Sequence, residues 1–104
     1  MADLELHEGA ANTMAVLEAL SAHGGWLATN QVAEAAGVGR DQARRILRTL
    51  AEQSWAHRMD VDGRDAWTIG PRLPFLGLSY QETLLRRARA LEADTLAALP
   101  RADR

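Results

Sequence analysis

The chain has 104 residues, no cysteine and a formal net charge of −2. That length suits one domain with a modest core, and the missing cysteines rule out disulfides, thiolate catalysis and Cys-based zinc sites. An apolar content of 47% with 25% charged residues excludes a wholly disordered chain. No run approaches the ~20 apolar residues of a membrane span, and the N-terminus lacks the basic flank and apolar stretch of a signal peptide. The expectation is a soluble cytoplasmic protein.

Taken in order, residues 1–11 read as a tail, with helix an option toward its end. Asn12 or Thr13 is placed to cap a first helix running to about His23, with Val16, Leu17 and Leu20 facing inward and Gly24-Gly25 stopping it. Trp26-Leu27-Ala28 is a short extended piece, long enough only to pair at the edge of a hairpin. Thr29 comes next as the N-cap of a second helix whose inner face is Val32, Ala33 and Ala36. Gly37 stands where that helix wants a left-handed cap, Val38 plugs the turn, and Gly39 opens the next helix.

That next helix, about residues 40–53, sorts its side chains sharply. At about 100° per residue, Ala43, Ile46, Leu47 and Leu50 fall on one side. Arg40, Asp41, Arg44, Arg45, Arg48 and Glu52 fall on the other. Asp41 sits in the first turn, where a carboxylate favours the helix dipole. Two helices joined by a Gly-Val-Gly turn, the second showing four guanidiniums outward, match a helix-turn-helix whose recognition helix enters a major groove. Arginine suits that role because its fork pairs bidentately with guanine O6 and N7, or grips phosphate. A solvated charged face would look the same in isolation, so the glycine turn and a hairpin after the helix carry weight.

Residues 55–69 supply that hairpin, a wing. Residues 55–61 alternate in polarity, residues 66–69 do so more weakly, and Asp62-Gly63 between them is a two-residue hairpin signal. Trp67 and Ile69 are expected to cover the helices. Arg58 and Arg64 would project from the wing toward phosphate or a minor groove, the alternative being ordinary solvated hairpin charges. Beyond Gly70-Pro71, residues 71–78 read as irregular or as the loose start of a helix. Ser79-Tyr80-Gln81-Glu82 has capping-box spacing, so a firm helix is expected from there to Leu99, before Pro100. Leu84, Ala88, Leu91, Thr95 and Ala98 repeat at 4-3-4-3, a seam suited to pairing with a second copy; packing against the first helix is the alternative.

Charge distribution fits this division better than the net value does. Residues 1–39 hold Asp3, Glu5, Glu8, Glu18 and Glu34 and neither lysine nor arginine, whereas residues 40–64 hold six arginines against four acids. Positive charge is therefore concentrated in the recognition helix, the wing and the C-terminal helix. The net charge itself gives no support to nucleic-acid binding.

The residues VLEALSAHGG, the block QVAEAAGVGRDQARRILRTLAE and the wing exit DGRDAWTIGPRLPFLG together resemble the N-terminal DNA-binding domain of IclR-type transcriptional regulators, over about Thr13 to Gly77. The most specific element is Arg45-Ile46-Leu47-Arg48-Thr49-Leu50 joined at the expected distance by Ile69-Gly70-Pro71-Arg72-Leu73. The resemblance implies a winged helix-turn-helix, mainly α with a small β-hairpin, acting as a homodimer on a roughly palindromic operator. It places Arg40, Asp41, Gln42, Arg44 and Arg45 in the base- and phosphate-contacting part of the helix. Ser54 stands where the family usually carries glycine, and Pro74 interrupts what is often a continuous linker helix. The family's large effector-binding domain has no counterpart before Arg104, which leaves no candidate pocket for a small-molecule effector.

The expected organisation is a tail at 1–11, a winged domain at 12–70 and a linker with dimerisation helix at 71–104. His7, His23 and His57 have no ligand-like spacing, and Ser54 and Ser79 have no evident base partner, so no enzyme, metal or cofactor is expected. The leading expectation is a sequence-specific regulator, a repressor, that binds double-stranded DNA as a homodimer. Its DNA contacts would come from Arg40, Asp41, Gln42, Arg44, Arg45 and Arg48, with Thr29, Arg58 and Arg64 at the helix cap and wing. A winged-helix module for protein–protein contact, an adaptor in a regulatory complex, is the second reading. The acidic N-terminal third favours it and the arginine stripe disfavours it.

Overall fold

The computed structural model describes residues 7–99, so the reading of 1–6 as tail and the last residues of the 71–104 segment lie outside the described part. Helix α1 (Glu8–His23) is followed by the short strand β1 (Leu27–Ala28), then α2 (Thr29–Ala36) and α3 (Arg40–Glu52). Strands β2 (Ala56–Val61) and β3 (Arg64–Ile69) form the hairpin, and α4 (Arg72–Ala98) ends the described chain. The chain divides into two compact units, one extending to Leu73 and one starting at Pro74.

In the first unit, the core is built where apolar faces of three helices meet one face of the sheet. Val16 and Leu20 of α1, Val32 of α2, Leu47 of α3 and Trp67 of β3 have no exposed surface. Leu27, Leu50 and Ala56 complete the cluster, with Leu17, Val38, Ile46, Trp55 and Ile69 packed against it. Apart from Leu27, Trp55 and Ala56, these are inward residues that the sequence pattern selects. Burying an aliphatic or aromatic side chain of this kind stabilises the fold by about 1.5–3 kcal/mol relative to leaving it in water.

The sheet is antiparallel with order β1-β3-β2, so the two-residue β1 pairs along the hairpin's second strand. Leu27 lies opposite Trp67, and both point to the helices. Asp62 and Gly63 occupy the hairpin turn at φ 54° and 79°, as a primed two-residue loop requires. The Asp60 carboxylate accepts the Gly63 N–H at 2.8 Å and fixes that turn.

Three local expectations are corrected. The first helix begins at Glu8 rather than at residue 12 or 13, because His7 Nδ1 accepts the Ala10 N–H at 3.0 Å and caps it. Histidine is an uncommon cap, which is why the sequence pattern favours Asn12 and Thr13 instead. The second helix has Ala28 as N-cap, and Thr29 is its first helical residue. Gln31 Oε1 reaches back to accept the Ala28 N–H at 2.8 Å, while the buried Thr29 hydroxyl accepts Trp67 Nε1–H at 2.9 Å. Thr29 therefore ties a helix to the sheet instead of capping.

The last helix starts at Arg72, not at Ser79, and it runs through Pro74 and Gly77. Pro74 is tolerated because it falls in the first turn, where the missing N–H would have had no intrahelical partner. Ser79 consequently lies inside the helix, where its carbonyl accepts the Thr83 hydroxyl at 3.0 Å. None of the residues of α4 is buried.

The junction between α3 and the wing is tight. Ser54 adopts φ 64°, the left-handed conformation that glycine would enter more easily. Its carbonyl accepts the Arg72 N–H at 3.0 Å, and the Trp55 carbonyl accepts the Gly70 N–H at 2.9 Å. A Cβ on Gly70 would meet the Ser54 carbonyl and stand 2.9 Å from the Ala56 nitrogen, so the wing can close here only on glycine.

Candidate nucleic-acid interface

The hydrogen bonds that hold the turn between α2 and α3 are between backbone groups. Gly37 sits at φ 72° as the C-cap of α2, and Val38 N–H donates to the Ala33 carbonyl at 3.0 Å. Gly39 is the N-cap of α3, and its carbonyl accepts the Ala43 N–H at 2.9 Å. Val38 packs against the core from this turn. With Ala43, Leu47 and Leu50 buried, the rotation of α3 about its axis is fixed, and so is its outward face.

On that face Arg40, Asp41, Arg44, Arg45 and Arg48 are all exposed, and Gln42 is half-buried. The wing brings Arg64 to the same region. Arg40, Arg44 and Arg64 line one cleft of about 510 Å³ together with Thr29, Asn30 and Asp65. Thr29 and Asn30 are the first residues of α2, where unpaired N–H groups and the helix dipole favour an anion. Three guanidiniums around a helix start make a surface suited to phosphate. Arg48 and Arg58 lie instead on another depression, beside Glu52, His57 and Trp67. Arg45 lines neither.

The wing arginines differ from each other. Arg64 is exposed beside the turn and makes no ion pair among the described residues. Arg58 lies directly across the sheet from Trp67, so its side chain shares the helix-facing side of the hairpin rather than projecting away. There Arg58 Nε donates to Asp65 Oδ1 at 2.8 Å. Arg44 Nη2 reaches the other carboxylate oxygen, Asp65 Oδ2, at 3.6 Å. The hydrogen bond that Arg58 donates to Asp65, and then the charge of Asp65, push the Arg58 guanidinium above its ordinary pKa.

Asp65 is the site residue that sequence reasoning passed over. A signal for it existed: it stands two positions before Trp67, and a period of two puts both on the face toward the helices. Asp60 lies directly opposite Asp65 in the register. Two carboxylates there would repel, and Arg58, the diagonal neighbour on that face, offsets the repulsion.

A three-helix core with a tight turn before an arginine-faced helix, flanked by a hairpin, defines a winged helix-turn-helix of the DNA-binding class. Among solved structures, a MarR family transcriptional regulator from Silicibacter pomeroyi has a TM-score of 0.55 at 17% identity, over 86% of this chain and 58% of that one. Sso10a-2, a DNA-binding protein from Sulfolobus solfataricus, has a TM-score of 0.55 at 17% identity, over 89% and 96%. HmgR from Pseudomonas aeruginosa has 0.62 at 18% identity, over 73% of this chain and 32% of that one. These likenesses show the shared fold, and the chain spans little more than half of the first regulator's length and a third of HmgR's. Compared with curated proteins, the sequence has no match.

The family model of the IclR helix-turn-helix domain matches residues 9–60. The chain belongs to that family of helix-turn-helix domains. The matched stretch takes in α1, the whole helix-turn-helix and most of β2. Among the described residues no helix is long and apolar enough to cross a membrane, and no group of three His, Asp or Glu side chains is arranged to hold a metal ion.

Proposed function

We propose that the protein is a sequence-specific repressor that binds duplex DNA as a homodimer, with α3 in the major groove and the wing on the backbone. The observation that carries this reading is the cleft where Arg40 and Arg44 of α3 and Arg64 of the wing converge on the start of α2. Arg40, Asp41, Gln42, Arg44, Arg45 and Arg48 supply base and phosphate contacts from the helix, the N-terminal ones reaching furthest into the groove. Arg64 grips phosphate. Arg58 acts through Asp65. Blocking a promoter requires only that the site be occupied, which a domain of this size can do by binding alone.

The dimer would form along α4. Leu84 and Leu91 are 47% and 68% exposed, which is costly for a seam that stays open to water. Thr95 fits within such a seam because its hydroxyl already donates to the Leu91 carbonyl at 2.9 Å. Arg87 and Glu92 flank the seam at a separation of five residues, the spacing that forms interhelical ion pairs between two parallel, in-register copies. A pair of this kind would bring two recognition helices to one duplex, and the operator would share that two-fold symmetry.

A salt titration tests the DNA reading. Binding to duplex must weaken steeply with salt, because each neutralised phosphate releases counterions and adds about 0.9 to the logarithmic slope. A slope near zero, or no binding at all, would favour the adaptor reading, in which the same arginines meet an acidic protein.

A further inference from the structure

Asp65 holds two arginines unequally. Its bond to Arg58 Nε is a 2.8 Å charge-assisted hydrogen bond, whereas Arg44 Nη2 stands 3.6 Å away, an attraction beyond hydrogen-bond geometry. The Asp65 side chain is 16% exposed against 48% for Arg44. The carboxylate is thus anchored on the wing by Arg58, and its free oxygen is turned toward the recognition helix. Asp60, opposite it on the sheet, keeps Arg58 on that side as well.

We propose that Asp65 is a positioning residue for DNA recognition: it withholds Arg44 from indiscriminate phosphate contacts and directs the outer edge of its guanidinium toward a base. The inference rests on the reading of α3 and the wing as a DNA-docking face. A guanidinium has five N–H donors in a fixed fork, so Arg44 can keep one nitrogen on Asp65 and still offer a free edge to guanine O6 and N7. A phosphate arriving from any sequence meets a different situation. It must approach the cleft lined by Arg40, Arg44 and Arg64 against the fixed negative charge of Asp65 and compete with it for Arg44. Sequence-independent binding is almost wholly electrostatic, so such a carboxylate lowers it more than it lowers base readout. Arg58 then has a role apart from DNA contact, which is to hold Asp65 in place.

The test uses the full chain and a random-sequence duplex of about 20 base pairs, with binding followed by fluorescence anisotropy between about 50 and 300 mM salt. Asp65→Asn should bind this probe about three- to tenfold more tightly than the wild type near 100 mM salt, with a logarithmic salt slope steeper by about one. The smaller neutral variant Asp65→Ser should do the same, and circular dichroism identifies which of the two is folded. In an Arg44→Gln background, Asp65→Asn should gain less than about twofold, since the arginine to be released is gone. Unchanged or weaker binding by the folded neutral variants, with an unchanged slope, would overturn the proposal. An equal gain in the Arg44→Gln background would also overturn it, because Asp65 would then act only through the general field. Absence of binding by every one of these proteins at the lowest salt would defeat the DNA reading of the face, and this inference with it.

Discussion

Helices α3 and α4 each carry four arginines, yet they do opposite things with their apolar residues. In α3 the stripe of Ala43, Leu47 and Leu50 is buried and the arginines stand clear of it. In α4 no residue is buried, and Leu78, Leu84, Leu85, Leu91 and Leu96 are all exposed. Within the first unit α3 has a complete hydrophobic partner, whereas the described residues of α4 bury none of their side chains. Arginine content therefore says little about a helix. On the proposed reading, a recognition helix differs from an association helix in having its apolar face already buried.

The sharpest way to break this comparison is truncation on the two faces. Leu47→Ala should destabilise the fold by about 2–5 kcal/mol, read by urea denaturation, because a fully buried leucine is lost. Leu91→Ala should change the same measurement at low protein concentration by no more than about 0.5 kcal/mol. Its effect should appear in sedimentation instead, and Leu84→Glu with Leu91→Glu should leave only monomer. If Leu91→Ala costs as much as Leu47→Ala in dilute solution, α4 has an intramolecular partner.

The next effect concerns how α2 is held against the wing. Thr29→Val keeps the volume but removes the acceptor of the buried Trp67 Nε1–H, and it should cost about 1–3 kcal/mol of stability. Loss of a single base-reading arginine, tested with Arg45→Ala, should cost about 1–3 kcal/mol of DNA affinity and relax the preference at one base pair, without lowering thermal stability. The smallest change is at the helix exit. Ser54→Gly relieves a left-handed serine at φ 64° and should raise stability by about 0.5–1 kcal/mol, the added freedom of the unfolded chain offsetting part of the gain.

Much of the fold was legible because its signals are local. The stripe in α3, Gly37 at the turn, and Asp62-Gly63 in the hairpin each dictate geometry over a few residues, and the structure has all three where the pattern puts them. The strained exit at Ser54 also showed as a departure from the family's usual glycine. The misses have a common cause. Thr29 resembles a cap, but tertiary contact with Trp67, 38 residues later, claims its hydroxyl. Arg58 resembles a free wing arginine, but Asp65 across the hairpin claims it. Pro74 and Gly77 resemble breakers, but Pro74 falls in the first turn of α4 and an interior glycine costs a helix only about 0.5–1 kcal/mol. Polar side chains have several possible partners, and distance along the chain does not rank them.

Affinity selection of sheared genomic DNA, with the wild-type chain and an Arg40→Ala, Arg45→Ala double variant side by side, tests the central claim most directly. The account predicts that the wild type recovers a recurrent two-fold-symmetric motif at moderate salt and that the double variant loses it while remaining folded. Recovery of the same motif by the double variant, or no retention of DNA by the wild type, would contradict the assignment of α3 as the reading element.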